Sequence, residues 1–282
     1  VPESQRGSAA SIKAVFDIVA FMAGGGLGGF LMGKTASWGQ VAVYATALSP
    51  VVLFAIFVTI TAIWAREDPN VKHEAPTTTI SQALKGAFYV NFKERPIFGY
   101  WFANRILFWG AYIAVTTFLT NFFIDVIGMS GDEARAFTGQ LQIILGVGLI
   151  VLALVAGWLS DRFGRKPVML AAGFIAAAGG LMLLLVRDRG LIIVAGVLIG
   201  MGIGMFLSAS WALATDIVPR DEAARYLGIA NVATCIGSGV ARLLGGVLID
   251  PINKALGSSS SGYLLLFSLA AAAFLFSSIA IL

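Results

Sequence analysis

From Ala136 to Ser160 twenty-five residues pass without a charged side chain, and a further twenty do so from Pro167 to Val186. A hydrocarbon layer of about 30 Å needs roughly 20 apolar residues in helical form. Without water, every backbone N–H and C=O must find its partner inside the spanning segment. Six more stretches have the same character, so the eight are read at 10–33, 40–65, 97–124, 136–159, 168–186, 190–215, 224–249 and 261–282. The runs are continuously apolar and lack the period-two alternation of barrel strands, so they are helices. Composition agrees: 58% of residues are hydrophobic and 12% charged, whereas a soluble domain carries about 25% charged residues. The expected fold class is an all-α polytopic membrane protein with eight transmembrane helices.

Several function classes fall away. The net charge of +4 does not come from a basic stripe with interleaved aromatics, so no nucleic acid is expected as a partner. A single cysteine, Cys235, excludes an intramolecular disulfide. No His/Cys/carboxylate cluster suggests a metal, and no Ser/His/Asp set suggests hydrolysis. "AGVLIGMGIGM" contains a GxGxG, but no strand precedes it, so it is not read as a nucleotide loop. Gly196, Gly200 and Gly204 there form a small-residue face for close helix approach. No cofactor and no enzyme activity are expected. The opening "VPESQRGSAAS" lacks the charged and apolar regions of a signal peptide and reads as the middle of a loop.

Lysines and arginines fix the orientation. The side holding the N-terminus and every second loop after it collects Arg6, Lys13, Arg66, Lys72, Lys85, Lys93, Arg95, Arg162, Arg165, Lys166, Arg220 and Arg225; the other holds Lys34, Arg135, Arg187, Arg189 and Lys254. The richer side is cytoplasmic by the positive-inside rule, in what is read as a bacterial inner (plasma) membrane. Trp64, Tyr100, Trp101, Trp158 and Trp211 lie near cytoplasmic helix ends, where an aromatic belt belongs. Residues 66–96 form the longest polar stretch, a cytoplasmic linker between membrane bundles. "TTISQALKGAFYV" within it reads as an amphipathic surface helix, and the one histidine, His73, sits among its solvated charges.

Shifting the chain by 217 positions aligns residues 1–33 with 218–250 without a gap, with eight of 33 positions identical. Val1-Pro2 meets Val218-Pro219, and Leu27-Gly28-Gly29 meets Leu244-Gly245-Gly246. Two parallel halves, or convergent helix composition, produce such a match.

The densest charge lies in "GWLSDRFGRKPV", residues 157–168. Gly157, Asp161, Arg162, Gly164, Arg165 and Lys166 stand at the spacing of the loop signature of the major facilitator superfamily, and the chain resembles helices 5 to 12 of a twelve-helix member. "DIVPRDEAARYLG", with Asp216, Pro219 and Arg220, resembles the ending that family shows after helix 10. The resemblance implies residues 1–65 as the last two helices of an N-terminal bundle and 97–282 as a six-helix C-terminal bundle. It also implies four helices and a second copy of the loop before Val1. Gly164 permits a tight reversal, and Asp161 faces a helix N-terminus. In the family this pairing holds the cytoplasmic gate closed; the alternative is a topology anchor only.

Three charges lie at membrane depth: Asp17, Arg105 and Arg242. Each costs about 2.5–3.5 kcal/mol to insert at a helix centre, which argues against lipid-facing positions. Asp17 is read as a proton or cation site, and Arg105 or Arg242 as an anion anchor; a structural ion pair or a snorkelling arginine is the alternative. Trp101, Asn104, Trp109 and Tyr112 are read as lining a substrate site. Gly25 stands where antiporters of the family carry a proline. The expectation is a secondary transporter of a small solute, working by alternating access with an ion such as a proton as the coupling partner. A structural or assembly subunit of a larger membrane complex is the alternative, its partners being the bilayer and either the missing N-terminal helices or another subunit.

Overall fold

A computed structural model describes residues 6–64, 90, 92–219 and 222–281. The expected surface helix, His73 and Arg220 lie outside the described residues. Nine helices follow one another among them: α1 Arg6–Gly33, α2 Thr35–Trp38, α3 Gln40–Trp64, α4 Pro96–Asp125, α5 Gly131–Phe163, α6 Arg165–Leu185, α7 Arg189–Ile217, α8 Ala223–Leu256 and α9 Ser261–Ile279. Seven of them, α3 to α9, are long and apolar enough to cross a membrane. α1 is 28 residues long, about 42 Å at 1.5 Å per residue. Eight long helices therefore stand where eight spans were expected, and the protein is a polytopic membrane protein.

The chain forms two compact units, residues 17–87 and residues 1–16 with 88–282. In the smaller unit α3 is apolar on every side and carries Pro50 in its interior. Proline has no N–H for the carbonyl four residues back. That carbonyl, on Thr46, accepts instead from the Ser49 hydroxyl at 3.1 Å, so the kink-prone turn keeps its backbone satisfied.

In the larger unit α7 is the most enclosed helix, and glycine is the reason. A Cβ on Gly200 would lie 2.8 Å from Leu145, and one on Gly204 2.8 Å from the Leu149 carbonyl, both on α5. On another face, a Cβ on Gly202 would lie 2.5 Å from the Ala172 carbonyl of α6, and one on Gly179 of α6 would lie 2.7 Å from the Ala195 carbonyl of α7. The small-residue face thus receives α5, and a second glycine contact receives α6. Lipid tails are as apolar as leucine, so such close approach and its dispersion contacts hold the bundle together. Phe108 of α4 stacks on Phe206 of α7 at 3.7 Å between centroids, and Phe274 of α9 meets Phe108 edge-on at 4.9 Å.

Two helix starts on the side opposite the 157–168 loop, those of α5 and α7, are capped by side chains. The Ser130 hydroxyl accepts from the Glu133 N–H at 3.3 Å, and the Asp188 carboxylate from the Leu191 N–H at 3.1 Å. Arg189 pairs with Glu133, tying the starts of α7 and α5.

Gly202→Leu should force α6 and α7 apart and cost roughly 1–3 kcal/mol as overpacking. The thermal midpoint of the detergent-solubilised protein should fall accordingly. Gly148→Ala, whose new Cβ would have no heavy atom within 4 Å, should not lower it, since alanine favours a helix interior over glycine.

Candidate functional site

The 157–168 segment turns on one residue. α5 ends at Phe163 and α6 begins at Arg165. Gly164 between them has φ +92° and ψ 161°, a region that a side chain makes strained. The reversal points Arg165 back along α5, where its guanidinium donates to the Ser160 carbonyl at 3.0 Å and reaches Asp161 at 3.4 Å. Its Nε lies 2.9 Å from the Asp216 carboxylate near the end of α7. The loop signature and the helix-end motif, 55 positions apart in the chain from Asp161 to Asp216, therefore form one charge cluster. One guanidinium bridges two carboxylates, all three side chains being less than a third exposed. Partial desolvation makes each pairing stronger than at an open surface.

The remaining loop residues do different things. Gly157 is buried in α5. Arg162 lies 5.3 Å from the Trp158 ring and 5.5 Å from the Phe163 ring, and Lys166 is exposed. Pro219 stands two residues past the end of α7, after the capping residue Val218.

Deeper in the bundle, Arg105 of α4 is 2% exposed. Its Nε donates to the Thr234 hydroxyl of α8 at 3.1 Å, and Nη1 to the Ser210 hydroxyl of α7 at 3.3 Å. The guanidinium lies 4.6 Å from the Trp211 ring and 5.5 Å from the Trp101 ring. Trp101 donates through Nε1 to the Ser210 carbonyl at 3.1 Å. Lys13 of α1 lies 4.4 Å from the Trp211 ring. Trp101 and Trp211 were expected in an interfacial belt. They are instead 0% and 8% exposed, because their rings furnish the π faces on which a buried cation rests. Trp64, Tyr100 and Trp158 are exposed at 82%, 61% and 55%, as a belt requires.

Asn104 is buried and donates to the Ser277 carbonyl of α9, so it ties α4 to α9. Trp109 and Tyr112 are half-buried and meet edge-on with centroids 5.6 Å apart. Asp17 lies on an exposed part of α1 in the smaller unit, and Arg242 on an exposed part of α8. Among the described residues no group of three or more His, Cys, Asp or Glu side chains is arranged to hold a metal.

Ser210, Thr234 and the roles of Lys13 and Trp211 escaped the reading of the sequence. "SASWALATD" held the clue: two serines flanking an alanine, then a tryptophan, inside an apolar helix.

The thermal stabilities of Arg165→Gln, Asp216→Asn and the double variant should show a coupling of about 1–3 kcal/mol, since each single change strands a partly buried charge. Purely additive losses would deny the bridge.

The model of the Major Facilitator Superfamily matches residues 134–282. The chain is 29% identical over 124 residues to an uncharacterized MFS-type transporter of Mycobacterium tuberculosis, covering 44% of this chain and 17% of the relative. It is 30% identical over 133 residues to the arabinose-proton symporter of Bacillus subtilis, covering 46% and 27%. Against the multi-drug resistance efflux pump PmrA of Streptococcus pneumoniae the identity is 24% over 152 residues, covering 53% and 37%. The chain thus spans only 17% to 37% of the length of these relatives. More than half of the chain lies in the family match, the Gly157–Lys166 loop included, and the chain belongs to the Major Facilitator Superfamily.

Proposed function

We propose that the protein is a secondary active transporter of a small organic solute, working by alternating access and coupled to protons. The observation that carries this reading is the Asp161–Arg165–Asp216 cluster in a member of this family. A partly desolvated ionic bridge between helix ends is a two-state element: it costs little to break once water enters, and it holds while water is excluded. The relatives' names support transport over the assembly-subunit alternative, since they describe a proton symporter and an efflux pump.

The proton carrier in this reading is Asp17. A carboxylate inside an apolar spanning segment marks an ion pathway in membrane proteins, which is why Asp17 takes this role. Arg105 stays charged throughout and is held by hydroxyls and indoles. It serves as a fixed positive pole for the solute site. Residues 1–65 and 97–282 are the two moving parts, joined by the linker at 66–96, and the basic loops face the cytoplasm of a bacterial inner membrane.

Liposomes containing the full-length protein, under an imposed pH gradient, should accumulate or expel a solute from a panel of L-arabinose, myo-inositol and benzoate. Asp161→Asn should lower the rate roughly 10-fold, about 1.4 kcal/mol of lost gate stabilisation, at normal membrane yield. Asp17→Asn should remove the dependence on the pH gradient while leaving exchange of solute intact. Gradient-driven flux that survives Asp17→Asn unchanged would overturn the proton assignment. No gradient-driven flux of any solute would move the weight to the assembly-subunit reading.

A further inference from the structure

A membrane helix with a polar face needs something polar to meet it, and α8 has such a face. Asn231, Cys235, Ser238 and Arg242 follow one another at intervals of four, three and four. At 100° per residue their Cα positions fall within about 60° of one another. Asn231, Cys235 and Arg242 are exposed and Ser238 is half-buried. The exposed apolar residues along the same stretch of the helix, Ile236, Val240, Leu243, Leu244 and Val247, lie about 80–180° away from this stripe by the same count. Lipid belongs to that apolar side, so Arg242 is turned away from it. Among the described residues none hydrogen-bonds or pairs with Arg242.

What stands beside the stripe follows from how α8 packs on α4. Arg105 meets Thr234, the backbone of Gly110 meets Gly237, and Phe118 meets Gly245. The sequence differences between these partners are nearly constant, so the two helices run parallel in one register. Arg105 reaching Thr234 also identifies the flanks that adjoin. On α4 that flank carries Arg105, Trp109 and Tyr112, and on α8 it leads from Thr234 to Ser238 and Arg242. Trp109 falls level with Ser238. Side chains on a helix lean toward its N-terminus, so the long Arg242 side chain leans toward the level of Tyr112 and Trp109. The Trp109 Nε1 is buried without an acceptor.

Resting on the transport reading above, we infer that this flank between α4 and α8 selects the solute, and that the solute is an organic anion with an apolar or aromatic body. Arg242 supplies the charge, bidentate toward a carboxylate or sulfonate. Asn231 and Ser238 offer further polar atoms, and the Trp109–Tyr112 pair offers flat faces and one indole donor.

Cys235 lies within the stripe and reports on it. Its alkylation by N-ethylmaleimide in proteoliposomes is followed by mass spectrometry of the peptide that contains it, with benzoate as the anionic probe and benzyl alcohol as its neutral counterpart. Saturating benzoate should slow alkylation by roughly threefold or more, as expected once its concentration is twice its dissociation constant. Benzyl alcohol should not slow it. Arg242→Gln should abolish the protection and Arg242→Lys should keep a large part of it, both at unchanged thermal midpoint. The inference is overturned if Cys235 is not alkylated at all, if benzoate gives no protection, if benzyl alcohol protects equally, or if Arg242→Gln protects as well as the parent. Protection by phosphatidylglycerol in the liposomes but not by benzoate makes the flank a lipid site and overturns it too. Gradient-driven flux of L-arabinose that is indifferent to Arg242→Gln would leave transport standing and sink this inference alone.

Discussion

A guanidinium at membrane depth is tolerated only where protein groups replace the water it has left, and that constraint organises the larger unit. Arg105 is the extreme case: nearly all its surface is covered, and its surroundings include two hydroxyls and two indole rings drawn from α4, α7 and α8. Because three helices contribute, solvating the charge and fixing the helices are one event. Arg165 applies the same rule nearer the surface, where two carboxylates and a backbone carbonyl take the place of water. Even the neutral backbone obeys it, as when Ser49 satisfies the carbonyl that Pro50 leaves behind.

Glycine makes these arrangements reachable. With side chains at Gly202 and Gly204, α7 would stand further from both α5 and α6. Ser210, Trp211 and Asp216 are all carried by α7, so the Arg105 cluster and the Arg165 bridge both depend on where that helix is held. The chain places its charged partners on its most tightly packed element, which limits how far they stray.

The spans and a tight reversal at Gly164 were legible in the sequence, because each rests on local chemistry: apolar length and backbone freedom. Partners across helices were not. Tryptophans near helix ends look alike whether they face the interface or the interior. Trp101 and Trp211 face the interior because Arg105 does, and nothing in their spacing says so. The Asn104 amide donates to the Ser277 carbonyl, a pairing across 173 positions that no periodicity reveals. The Gly196–Gly200–Gly204 face announced a close contact, but not that a second one, at Gly202, would occupy another side of the helix.

Alternating access, as proposed, is a statement about opposite motions at the two ends of the molecule. Electron spin resonance distances in a Cys235→Ser background test it directly, with label pairs at positions 64 and 163 on the basic side and at 38 and 132 on the other. All four lie at exposed positions at or next to helix ends. Lowering the pH or adding a transported solute should lengthen one pair while shortening the other. Distances that stay fixed across all conditions, or that change together in the same sense, would contradict the account.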